Sequence, residues 1–201
     1  MRTVCVKIYK YDELSDSAKE KARQWWIGCE SQDHAWAKEN RETLDAFCAL
    51  FPVKVSDWEY GYRNYINFSM TCNDEIETLS GRRLATYLWN NYRRDLFKGK
   101  YYSTAGKWID GKYHYKSRHS RIILDNCCVL PGYCIDDDIL KPIYDFLNRP
   151  DSQTFYDLMN DCLQSWVYAC RDEYEAALSD EAAEDAIRAN EYEFTKDGSI
   201  Y

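Results

Sequence analysis

The sequence predicts an α+β protein in which a small antiparallel sheet packs against several helices, with a long amphipathic helix near the C-terminus. Three observations carry this expectation. Phe155, Leu158, Met159, Cys162, Leu163, Trp166, Val167, Cys170 and Tyr174 recur at three- and four-residue spacing, which gives one side of a helix a continuous apolar stripe to bury. Ile66, Phe68, Met70 and Cys72 alternate with polar residues, the period of a strand with one buried face. No repeat and no low-complexity linker divides the chain, so its 201 residues read as a single domain, 1–201.

In chain order, Val4, Val6 and Ile8 alternate with Cys5, Lys7 and Tyr9 and predict a first strand. A helix follows from Ser15 or Ser17. The second start puts Ser17 and Glu20 in a capping box, where hydroxyl and carboxylate satisfy free backbone donors. Its apolar face is Ala18, Ala22, Trp25, Trp26 and Cys29, and Gly28 is placed to end it. A second helix over about 33–51 turns Trp36, Leu44, Phe47 and Cys48 inward and stops at Pro52. Val53, Val55, Trp58 and Tyr60 then form a hairpin with the 66–72 segment around Gly61. A third helix over about 79–97 buries Leu84, Leu88, Tyr92 and Leu96, with Gly99 as its C-terminal cap.

Beyond residue 100 the periodicity weakens. Asp110-Gly111 is a dipeptide that favours a type I′ turn, so a protruding hairpin is expected as an insertion at about 99–121, with Ile122 to Leu124 a further short strand. Asp136, Asp137 and Asp138 open a helix carrying Ile139, Leu140, Ile143 and Phe146, in which Pro142 forces a kink or a new start.

Composition bounds the function. A mean hydropathy of -0.67 and the lack of any long apolar run argue against membrane insertion, and the opening residues do not read as a signal peptide, so a cytoplasmic location is expected. The nine cysteines are odd in number and lack a Cys-x-x-Cys pair, which points to reduced thiols rather than a disulfide framework. Net charge is -8 but polarised: residues 151–201 hold 13 acidic and 3 basic residues, whereas residues 82–121 hold 11 basic and 2 acidic ones.

Candidate chemistry is sparse. His114, His119, Cys127, Cys128 and Cys134 lie close in sequence but at spacings unlike zinc-finger patterns. Asp136 to Asp138 with Asp125 do not have the spacing of a calcium loop, and carboxylates in a first helical turn are favoured by the helix dipole alone. There is no glycine-rich phosphate loop, nucleophile elbow or HExxH motif, so neither an enzyme nor a bound cofactor is expected.

The basic segment is more informative. Eleven residues make about three helical turns, so Arg82 falls beneath Arg93 and Arg83 beneath Arg94. Lys98, Lys107, Lys112 and Lys116 continue the charge into the hairpin beside Trp108 and Tyr113. Basic groups interleaved with aromatic rings suit nucleic acid, the first neutralising phosphates and the second stacking on bases. The competing reading is that these residues stabilise a helix C-terminus and pair with the acidic end. That end, residues 172–201, carries Asp172, Glu173, Glu175, Asp180, Glu181, Glu184, Asp185 and Glu191, either as a solvated helix face or as a row of carboxylates standing in for a phosphate backbone.

Three stretches also carry a resemblance. The opening Val6-Lys7-Ile8-Tyr9 with Tyr11-Asp12-Glu13-Leu14-Ser15-Asp16-Ser17-Ala18-Lys19-Glu20-Lys21-Ala22-Arg23, the centre Leu88-Trp89-Asn90-Asn91-Tyr92 through Gly99-Lys100-Tyr101-Tyr102 and the end Leu178-Ser179-Asp180-Glu181-Ala182-Ala183-Glu184-Asp185-Ala186-Ile187-Arg188-Ala189-Asn190-Glu191-Tyr192-Glu193-Phe194-Thr195-Lys196-Asp197-Gly198 resemble a group of small proteins encoded by bacteriophages and prophages. Trp58-Glu59-Tyr60-Gly61-Tyr62 departs from the glycine-rich Ser-Gly-Phe-type segment of many members. The resemblance implies an anti-CRISPR-like inhibitor of a host nucleic-acid-processing effector, a CRISPR nuclease or restriction enzyme. An antitoxin or nucleic-acid-binding regulator is the alternative.

Overall fold

The computed structural model describes residues 6–31, 37–97, 99–124, 129–130 and 135–201, with 99–107 and 113–124 described by their backbone. The elements are β1 (Tyr9–Lys10), α1 (Asp16–Glu30), α2 (Ala37–Leu50), β2 (Val53–Glu59), β3 (Tyr65–Met70), α3 (Asp74–Glu77), α4 (Gly81–Leu96), β4 (Gly99–Ile109), β5 (Lys112–Leu124), α5 (Asp136–Asn148), α6 (Phe155–Ala177), α7 (Asp180–Ala189) and β6 (Glu193–Phe194). The fold is α+β. Among the described residues its strands form three two-stranded antiparallel ladders, β1–β6, β2–β3 and β4–β5, rather than one small sheet. The chain divides into two compact units, residues 1–37 with 170–201 and residues 38–169.

In the first unit, Tyr11, Leu14, Ala18, Ala22, Ile187 and Phe194 form a buried cluster, with Tyr9, Trp25, Trp26 and Tyr192 packed against it. Trp25 meets Tyr192 edge-on at 5.2 Å and Phe194 at 6.1 Å. Of the predicted first strand, Val4 and Cys5 lie outside the described residues; Val6 and Ile8 are exposed, and among the described residues pairing begins at Tyr9, opposite Phe194. Helix α1 starts after Ser15, so Ser17 lies inside the helix and forms no capping box with Glu20. Gly28 does not end it. Gly28 lacks the left-handed backbone that a glycine cap uses, and the helix runs on to Glu30, where the Ser31 amide donates to the Ile27 carbonyl.

The last turn is folded onto α1. Gly198 has φ +83°, and a Cβ there would stand 2.2 Å from the Ala18 carbonyl oxygen. Only glycine tolerates that combination of backbone and approach. Lys21 closes the turn by donating to Asp197 at 2.6 Å and to Ser199 Oγ at 2.7 Å.

In the second unit the α6 stripe is the core. Phe155, Leu158, Met159, Cys162, Leu163, Trp166 and Val167 are all fully buried, along with Phe47 of α2 and Leu84 and Leu88 of α4, and Leu44 of α2 is also buried. The buried Trp166 indole meets its polar need by donating to the Asn40 carbonyl at 2.9 Å, and its ring lies edge-on to Trp58 at 5.2 Å. Strands β2 and β3 pair from Val53 with Met70 to Glu59 with Tyr65, with an irregularity between Val55 and Asp57.

Helix α4 fills the expected span of about 79–97 to within two residues at each end, and a separate short α3, whose Asn73 side chain accepts from the Ile76 amide at 3.0 Å, precedes it. Gly99 opens β4 instead of capping α4, because the C-terminal carbonyl of Leu96 is satisfied by the Tyr144 hydroxyl at 2.9 Å. Ile122 to Leu124 form the end of β5, paired back to Gly99, and not a strand of their own. At the tip of this hairpin Asp110 (φ 50°) and Gly111 (φ 75°) both adopt the left-handed conformation that a type I′ turn requires.

Pro142 leaves α5 unbroken. A proline has no amide to offer the carbonyl four residues earlier, here that of Asp138. Ser165 of α6 supplies the missing donor, its Oγ reaching the Asp138 carbonyl at 2.8 Å.

Candidate nucleic-acid interface

Helix α4 is held at both ends within its unit. Before its first turn, the Phe155 amide donates to the Leu79 carbonyl at 2.9 Å, and Ser80 bridges Thr154. At its last turn Tyr144 holds the Leu96 carbonyl. Burial of Tyr144, with the Asp137 and Asp136 charges, pushes its phenol up to about 12, so the hydroxyl remains a donor across the physiological range. Leu84, Leu88 and Leu96 point into the core.

The outward face carries Arg82, Arg83, Thr86, Trp89, Asn90, Arg93 and Arg94, all exposed. The four arginines form two columns, Arg82 with Arg93 and Arg83 with Arg94, separated along the axis by about 16 Å at 1.5 Å per residue. Asp95 is the only acid in α4. None of the four guanidinium groups pairs with a carboxylate among the described residues. Leu79, Arg82, Arg83, Thr86, Tyr87, Asn90 and Asn91 line an open groove of about 470 Å³ along this face.

The chain leaves α4 directly into the β4–β5 hairpin. Trp108 is 73% exposed at its tip, opposite Tyr113 in the ladder, and Lys112 is exposed beside it. Lys107 pairs in register with His114, and Lys116 with Thr104. The side chains of Lys107, Tyr113 and Lys116, and Lys98 as a whole, lie outside the described residues.

The acidic end is partly neutralised by its own unit. Arg23 reaches Glu184 at 2.8 Å and Asp180 at 3.7 Å and also bonds Glu20. Arg188 reaches Glu184 at 2.9 Å, Asp12 at 3.1 Å and Asp185 at 3.8 Å. Asp172 pairs with its neighbour Arg171. Burial tends to raise the Glu184 pKa, but hydrogen bonds from Arg188, Tyr11 and Arg23 outweigh it and hold the carboxyl below its ordinary value. Glu175, Glu181 and Glu191 are exposed, and Glu173 is half-buried. The sequence shows the row of acids but not their partner Arg23 from α1, which lies some 160 positions away.

Asp136, from the acidic triplet, is buried and structural: it accepts from the Leu130 amide at 2.9 Å and from Thr43 Oγ1 at 3.5 Å. Cys127, Cys128 and Cys134, and the side chains of His114 and His119, lie outside the described residues. Burial pushes the Cys162 thiol well above its ordinary pKa, so it packs as a small apolar group. Among the described residues no group of His, Cys, Asp and Glu has the makings of a metal site, and no helix is long and apolar enough to cross a membrane. Set against protein-family models, curated proteins and solved structures, the chain matches none.

Proposed function

We propose that this protein is a non-catalytic inhibitor of a host nucleic-acid-processing effector, a CRISPR nuclease or restriction enzyme, acting where that effector holds its guide or target nucleic acid. The observation that carries the reading is the α4 face. Four exposed arginines stand in two columns without carboxylate partners among the described residues, and the chain passes from them into a hairpin tipped by Trp108 and Lys112. Solvent-exposed guanidinium groups on a well-anchored helix are suited to phosphates. The acidic segment is the weaker docking surface, since Asp172, Asp180, Glu184 and Asp185 already have basic neighbours. The resemblance to phage-encoded proteins supplies the setting, a host defence nuclease.

Two measurements test this. Nuclease assays with CRISPR effectors and restriction enzymes, alongside pull-downs from lysates containing them, should show a recovered effector and reduced cleavage. Recovery of none, with cleavage unaffected, sinks the inhibitor reading. Direct binding to nucleic acid should weaken steeply with salt, by a slope of about -3 to -4 if four phosphates are neutralised. Arg83→Glu with Arg94→Glu should flatten that slope. Salt-dependent binding without any effect on nucleases would leave the same face serving an antitoxin or nucleic-acid-binding regulator.

A further inference from the structure

We infer that α4 is a reading helix for duplex DNA: it enters the major groove with its arginine columns on phosphates of opposite strands and with Asn90 and Thr86 turned to the base edges. The inference rests on nucleic acid being the ligand of this face. It adds which form is bound and which side chains read it.

The placement follows from helix geometry. At about 100° per residue, one arginine column lies roughly 50° to one side of the line through Thr86 and Asn90, and the other column roughly 50° to the other side. That line is opposite Leu88, which is fully buried, so it points straight away from the core. Arginine side chains carry their charge beyond the ~5–6 Å radius of an average helix, so the columns stand roughly 10 Å apart, close to the ≈ 12 Å width of the B-DNA major groove. Each column spans about 16 Å along the axis, near five base-pair steps at 3.4 Å.

The residues on the midline have base-reading chemistry. Asn91 has committed its amide to the Tyr87 carbonyl at 2.8 Å, but the exposed Asn90 amide has no partner among the described residues. A free carboxamide is the group that bonds adenine in bidentate fashion. Thr86 donates its hydroxyl proton to the Arg82 carbonyl at 2.8 Å, which fixes the rotamer and leaves its methyl for a thymine methyl.

The same geometry disfavours other forms. Duplex RNA has a deep, narrow major groove that side chains do not read. Single strands are held by rings on which bases stack, and the midline carries no ring. The exposed ring of α4, Trp89, sits outside the Arg82 column, tilted against Phe97 at 5.4 Å.

The test uses the full chain with three probes of equal length, duplex DNA, single-stranded DNA and duplex RNA, plus selection from a randomised DNA duplex library. Duplex DNA should bind at least tenfold more tightly than the other two, and selection should return a base preference. Asn90→Ala should abolish that preference at one position while the salt slope stays the same; Arg83→Ala and Arg94→Ala should each reduce the slope by about one and keep the preference. Equal binding of all three probes, or a preference indifferent to Asn90→Ala, overturns the reading-helix inference and leaves the phosphate-binding function standing. No binding to any probe overturns both.

Discussion

At the scale of single residues, Gly198 is a position with no room for a side chain. Its φ of +83° disfavours any side chain, and the Ala18 carbonyl occupies the place a Cβ would take. Gly198→Ala therefore combines backbone strain with a clash against helix backbone that has nowhere to move. The expected loss is about 2 kcal/mol or more, read as a lowered denaturation midpoint. An unchanged midpoint would mean that the last turn does not sit on α1. Asp136 is a second such residue: a carboxylate that appears in the sequence as a possible metal ligand is instead buried, accepting the Leu130 amide.

At the scale of elements, α5 shows how a helix survives a proline. The Asp138 carbonyl would lack its helical donor, and Ser165 from the core helix α6 provides one. This predicts a coupling that a double-mutant cycle measures. Ser165→Ala should cost about 1 kcal/mol with proline at position 142, and distinctly less in a Pro142→Ala background, where the helix regains its own donor. Additive effects would show that the serine acts elsewhere. Helix α4 follows the same logic at its C-terminus, where Tyr144 takes the place of a glycine cap. A helix fixed at both ends presents its arginines with little ordering left to do, which favours binding.

At the scale of the whole molecule, charge is sorted by location. The first unit gathers acids with cations of its own, while the α4 face in the second holds arginines that pair with no acid among the described residues. Glu20, Glu184 and Asp197 all have pKa values held below the ordinary carboxylate value: by Arg23 at Glu20, by Arg188, Tyr11 and Arg23 against burial at Glu184, and by Lys21 at Asp197. A lowered folded pKa means that the stabilisation is present above the ordinary value of about 4 and is lost as pH falls through the lowered ones. Denaturation midpoints should therefore hold between pH 6 and 8 and fall below about pH 4. Arg23→Met should make the acid limb shallower, and an identical limb in that variant would count against this network.

How much of this was legible depends on how local each pattern is. The α6 stripe, the β2–β3 alternation and the Asp110-Gly111 turn are read from residues a few positions apart, because helix, strand and turn each impose their period on near neighbours. The two arginine columns are visible for the same reason. The rest required distant segments to meet. Gly28 runs through as helix while Gly198, far along the chain, meets the steric demand on α1. Ser165 covers for Pro142, and Tyr144 caps α4, by contacts that no spacing encodes. By itself the sequence determined an α+β chain with polarised charge and a basic helix. Only the tertiary structure decided that Asp180 and Glu184 of α7 would meet Arg23 of α1 and that the arginines of α4 would have no acidic partner among the described residues, since pairing of charges depends on which elements the apolar core brings side by side.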